Sequence, residues 1–262
     1  MAVVVDCHAH IRGPFPDRAD PWEEDRLLLE ACDALGIDVA VVSHLGTGRP
    51  ASPEGFREVN RKMLAGLKEF RGSFWGYCYV NPGWTREALE EIEYCMAADE
   101  DCIGIKLYNE YRMTDPVVRP VIEKSVQLGV PILQHAGYSE VNRSQQPNIS
   151  TAADVAEVGR SYPGAKLIVA HLGGGGDWEW AIRAVAEAPA NVGADISGSV
   201  VEDGLVEYAV QLIGPERLYF GCDMSMTAGM GKLMYSGISE EARRKIRAES
   251  FLRLVGREAM LA

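Results

Sequence analysis

The chain holds five histidines, His8, His10, His44, His135 and His171, and their spacing is the first sign of chemistry. His8 and His10 form the sharpest pair. In an extended segment residues i and i+2 project to the same side, so VDCHAH (5–10) presents two imidazoles together. Each buried imidazole needs a hydrogen-bond partner, and one shared metal ion meets both needs. His135 in QHAG (134–137) and Asp223 in LYFGCD (218–223) add a third nitrogen donor and an oxygen donor. Three imidazoles and one carboxylate make a borderline donor set for one divalent ion. Zn²⁺ is the first candidate, with Mn²⁺, Fe²⁺ or Co²⁺ also compatible. His171, in VAHLGGGGDWEW (169–180), has three open roles: proton carrier, carbonyl polariser, or ligand of a second metal.

Around these lie candidate substrate contacts. Lys106 in GIKLY (104–108) has three competing roles: a carboxylated bridge between two metals, a cation for a substrate carboxylate, or a structural ion pair. His44 either touches substrate or supports the loop beneath it. Arg12 and Arg49 fall in early loops and suit an anionic substrate, while Tyr108, Tyr138 and Trp178 could wall a pocket or anchor loops. The glycine run 173–176 lets backbone approach a ligand closely, but no Gly-Lys-Ser/Thr follows it, so it is not a phosphate loop.

Elements must bring these residues together. Eight short runs rich in β-branched and apolar residues read as strands: 2–7, 38–43, 73–80, 102–108, 130–134, 165–170, 191–197 and 217–221. Most are continuously apolar, as expected of strands covered on both faces in a parallel sheet. Between them lie amphipathic stretches, including 23–35, 53–70 with Ser52 as cap and Pro53 at the first helical position, 85–98 capped by Thr85, and 116–129. Eight repeats in 262 residues give about 33 residues per unit, a βα unit's length. The expected fold is a (β/α)₈ barrel spanning 1–262 as one domain, with an open doubly wound sheet as the rival. In the barrel all five histidines stand at the C-terminal ends of strands, where such barrels build active sites. Strand one also neighbours strand eight, which carries Asp223 to the HxH pair.

Composition narrows the function classes. A formal net charge of −12, without a basic run, argues against nucleic acid. No window approaches a membrane span, and MAVVVDCHAH lacks a signal peptide's basic start, so a cytoplasmic location is expected. The six cysteines form no CxxC pair and read as buried, reduced thiols. The sequons at Asn142 and Asn148 carry no meaning in that compartment.

With these segments in hand, the chain resembles the metal-dependent amidohydrolase superfamily, specifically the amidohydrolase-related group that contains decarboxylases and lactonases. The matching segments are VDCHAH, GIKLY, QHAG, VAHLGGGGDWEW and LYFGCD, in order along the chain. The resemblance implies one metal among His8, His10, His135 and Asp223, with His171 near its water. Met224, Ser225 and Met226 depart from the short residue and proline that often follow this aspartate. The expected activity is hydrolysis of a carboxylic ester, lactone or amide of a small carboxylate-bearing substrate by a metal-activated water, with Asp223 and His171 moving protons. The alternatives are non-oxidative decarboxylation of an aromatic or unsaturated acid, hydration, and a non-enzymatic metal-binding protein. A homodimer is compatible with all of them.

Overall fold

The computed structural model describes residues 3–46, 51–137, 146–172, 176–198 and 200–261. Arg49, Tyr138, the sequon at 142–144 and glycines 173–175 lie outside them.

Eight parallel strands run in sequence order: β1 (Val5–His10), β2 (Val39–Ser43), β3 (Phe74–Tyr79), β4 (Cys102–Leu107), β5 (Pro131–Gln134), β6 (Lys166–Val169), β7 (Val192–Asp195) and β8 (Leu218–Tyr219). Past β8, Cys7 N–H donates to Phe220 O at 2.9 Å and Asp223 N–H to His8 O at 2.7 Å, which closes the sheet on itself. The fold is a (β/α)₈ barrel.

Continuous apolar strands are explained by burial on both faces. In β2, Val39 and Val41 join an interior cluster, while Ala40 and Val42 join the larger cluster beneath the helices. The outer layer comprises α1 (Glu23–Leu35), α2 (Pro53–Glu69), α3 (Thr85–Ala98), α4 (Arg119–Leu128), α5 (Ala152–Ser161), α6 (Trp178–Ala186) and α7 (Leu205–Ile213). Ser52 caps α2 by accepting from Gly55 N–H. Thr85 does not cap α3: Trp84 holds the cap position, and the Thr85 hydroxyl donates to Pro82 O. The 116–129 stretch opens as a 3₁₀ turn over Pro116–Val118 before α4, because Pro120 provides no N–H for an α-helical bond at that point. The helix α8 (Met226–Tyr235) follows Asp223 directly.

The C-terminal segment passes through Glu240–Arg244, a π turn over Lys245–Glu249, and Ser250–Val255. Its Ala248, Phe251 and Leu252 pack with Val5, Val39 and Trp75, so this segment plugs the barrel at the strands' N-terminal ends. The opposite mouth is left to the polar residues. All six cysteines are buried and unpaired. Among the described residues no helix is long and apolar enough to cross a membrane.

Candidate metal centre

His8 and His10 lie on the last turn of the pleat in β1, and His44, His135 and His171 follow β2, β5 and β6 by one or two residues. Register sets them level: His10 pairs with Ser43, Tyr79 with Lys106, and Leu107 with Gln134. Backbone strain marks the same rim. His171, Asp223 and Met224 adopt φ of 68°, 47° and 64°, the left-handed region that non-glycine residues rarely enter and that clusters at functional sites.

At the centre stands His8, 1% exposed. Its Nδ1 lies 2.9 Å from Asp195 Oδ2. A carboxylate only accepts, so Nδ1 carries the proton and Nε2 offers its lone pair inward. Lys106, wholly buried, brings its Nζ to 2.8 Å from that Nε2. Asp223 Oδ1 is 2.8 Å from His10 Nε2 and 3.6 Å from His8 Nε2, and Asp223 Oδ2 is 3.5 Å from His171 Nδ1. His171 Nε2 meets His135 Nδ1 at 2.9 Å and its Nδ1 meets Ser197 Oγ at 3.0 Å. His135 stacks on Tyr108, ring centroids 4.1 Å apart.

These groups tune one another. Burial raises the Asp223 carboxyl, but the His10 hydrogen bond and the charges of His8 and His171 outweigh it and hold it well below the ordinary value. Asp195 is likewise depressed, burial being overcome by His8 first. Burial pulls His10 down to about 4 and His171 to about 3, and pulls His135 down too. At neutral pH His10, His135 and His171 are therefore neutral and Asp195 and Asp223 ionised, the protonation states that bind metal.

The donor set fits a divalent cation. Ligand atoms of His8, His171 and Asp223 converge within 4.8 Å of one another. His135 Nε2 is buried without a hydrogen-bond partner among the described residues. The lone pair of His8 and the charge of Asp223 are met in the chain alone by a lysine ammonium and an imidazole, which are the partners a cation replaces. The Asp195–His8 contact is the outer carboxylate that orients a metal-ligating imidazole.

A cavity of about 260 Å³ opens above the centre, lined by His10, Arg12, His44, Lys106, Tyr108, His135, Asp223 and Met224, with apolar Ile11 and Leu45. Arg12 is exposed, and its backbone N–H donates to Asp25. His44 Nε2 lies 3.2 Å from Arg12 O. Trp178 stands apart from this cavity. It packs on Tyr208 at the outer layer, ring centroids 6.3 Å apart, because it opens α6 with its ring turned to α7. Sequence reading missed Asp195, Ser197, Ser43 and Lys232. Asp195 obeys the strand-end rule that singled out the histidines, and that was the available signal.

A family model described as amidohydrolase matches residues 5–246. The chain belongs to the amidohydrolase family. Comparison with curated protein sequences finds no match. Among solved structures, the chain is similar to 2,6-dihydroxybenzoate decarboxylase from Rhizobium, at 19% identity and TM-score 0.74 over 98% of this chain and 99% of the other. It is also similar to 4-oxalomesaconate hydratase from Rhodopseudomonas palustris, at 16% and 0.76 over 98% and 97%. A third is a dihydroxybenzoic acid decarboxylase from Polaromonas with bound manganese, at 17% and 0.72 over 98% and 97%. The chain is thus a metal-dependent enzyme of the amidohydrolase superfamily, with a His-His-Asp site for a divalent ion. The expected hydrolysis of an ester, lactone or amide does not stand. These relatives are decarboxylases and a hydratase, and the ligand pattern from which hydrolysis was read is common to both chemistries.

Proposed function

We propose that this protein is a metal-dependent, non-oxidative decarboxylase of a small aromatic or unsaturated acid. The observation that carries the reading is Lys106, wholly buried yet lining the cavity beside His10, His135 and Asp223. This places fixed positive charge where a substrate carboxylate would enter, in an otherwise acidic protein. The decarboxylase names of several structural relatives support it. A cavity of about 260 Å³ suits one substituted ring, falling just below the usual range of about 300–1,000 Å³ for drug-sized ligands.

His8, His10, His135 and Asp223 would hold the ion, and His171, which converges on His8 and Asp223 and also meets Ser197 and His135, is assigned to carry the proton. Mn²⁺ takes precedence over Zn²⁺, since two of the decarboxylase relatives carry manganese. When bound, such an ion would supply Lewis acidity at these residues. Lys106 and Arg12 bind the anionic end. Tyr108 and His44 wall the ring, with Tyr138 a further candidate. His171 or Asp223, transiently protonated, gives its proton to the carbon that bears the carboxylate. The carbon–carboxylate bond then breaks, its electron pair returns to the ring, and carbon dioxide leaves. Solvent restores the proton. Hydration of an unsaturated dicarboxylate is the second reading, favoured by the hydratase relative.

The test is carbon dioxide release from hydroxybenzoates by manganese-loaded protein. His171→Asn should keep its metal yet lose on the order of 10²–10⁴ in turnover. If that variant purifies without metal where the wild type keeps it, His171 is a ligand and its proton role fails.

A further inference from the structure

Lys232 sits on α8, outside the barrel strands, yet it is 4% exposed. Its ammonium meets no carboxylate within ion-pair range among the described residues. It donates instead to two backbone carbonyls, Gly198 O at 2.6 Å and Ser197 O at 3.2 Å. Burial pulls this ammonium down to about 8, with Asp195 opposing the shift, so the protein bears a desolvation cost at this point. What the charge holds is the segment leaving β7. Ser197 Oγ on that segment lies 3.0 Å from His171 Nδ1 and 3.3 Å from His8 Nδ1, and Ser197 N–H donates to Asp195 Oδ1 at 2.9 Å. The reach of Lys232 depends on close approach of α8. A Cβ at Gly229 would stand 2.8 Å from Cys222 Sγ and 3.1 Å from Gly221 O, so only glycine lets the helix lie against the Asp223 turn.

We propose that Lys232 is a positioning residue: by fixing the carbonyls of Ser197 and Gly198, it aims the Ser197 hydroxyl between His8 and His171 and so sets the orientation of both rings. The inference rests on the reading of His8 and His171 as the metal-holding and proton-moving rings. Its test does not depend on which reaction they serve.

The test is a double-substitution cycle on the full chain, with Lys232→Met, Ser197→Ala and the two combined. Two readouts are taken: Mn²⁺ affinity by calorimetry, and nitrogen-15 NMR of the imidazoles in metal-depleted protein, where five histidines make assignment tractable. If Lys232 acts through Ser197, each single substitution should weaken Mn²⁺ binding by about 10-fold, the low end for losing a partner of a metal-binding side chain. The double variant should bind no more weakly than the weaker single. The His8 and His171 signals should move in Lys232→Met as they do in Ser197→Ala. A loss of packing alone would lower the melting temperature without moving those signals. Wild-type Mn²⁺ affinity in Lys232→Met, unmoved His8 and His171 signals, or losses that multiply in the double variant would each overturn the proposal. Should Lys232→Met fail to fold by circular dichroism, Lys232→Gln, a neutral donor, carries the same cycle.

Discussion

His8 has both ring nitrogens committed, one to Asp195 and one to the cavity, and that division of labour organises the site. Asp195→Asn keeps the shape but can leave an amide N–H facing Nδ1, freeing His8 to turn or change tautomer. Metal affinity should fall by about 10–100-fold, measured by competition with a chelator. Lys106→Met should raise the Michaelis constant of a carboxylate substrate and leave metal content near wild type. An unchanged constant would remove Lys106 from substrate binding. That the HxH pair, His135 and Asp223 would share one rim was legible from their places at strand ends. Asp195 was passed over although it too ends a strand, because a lone aspartate inside NVGADIS has no paired ligand beside it in the sequence. Lys232 was not legible, since its partners are carbonyls that carry no side-chain signature.

The elements were read more easily than their ends. Continuous apolar runs fixed seven strands within a few residues, whereas β8 shrinks to Leu218–Tyr219 because the chain leaves regular pairing to close the barrel through Phe220 and Asp223. Two consecutive left-handed residues, Asp223 and Met224, make that exit, and α8 begins at once behind them. No periodicity signals such a turn. At the other end, Phe251 is 1% exposed and packs edge-on against Tyr219, ring centroids 5.9 Å apart. Phe251→Ala should cost about 3–5 kcal/mol in urea unfolding. A loss below 1 kcal/mol would mean the C-terminal segment does not plug the barrel.

For the whole molecule, the buried rim gives acid sensitivity a definite sign. His10 and His171 titrate at about 4 and about 3 when folded and near 6.5 when unfolded. The unfolded chain therefore binds more protons below 6.5, and stability present above that value is lost as pH falls towards 4. Asp6 opposes them: burial raises it to about 6, so the folded chain takes up its proton first between about 6 and 4. Two groups outweigh one, and metal-free protein should melt at lower temperature at pH 5 than at pH 7. The fold and the metal site follow from where polar residues interrupt apolar strands, but the reaction does not. Water attack and carbon protonation ask for the same imidazoles and the same aspartate. What separates them is how substrate lies against Lys106 and Arg12, and the sequence does not encode that in any spacing. The most direct measurement is therefore carbon dioxide release from a panel of hydroxybenzoates by the manganese-loaded chain, with and without a chelator. Release that stops on chelation and in Asp223→Asn is the expected result. No release from any member of the panel, or release that survives complete removal of metal, would contradict a metal-dependent decarboxylase.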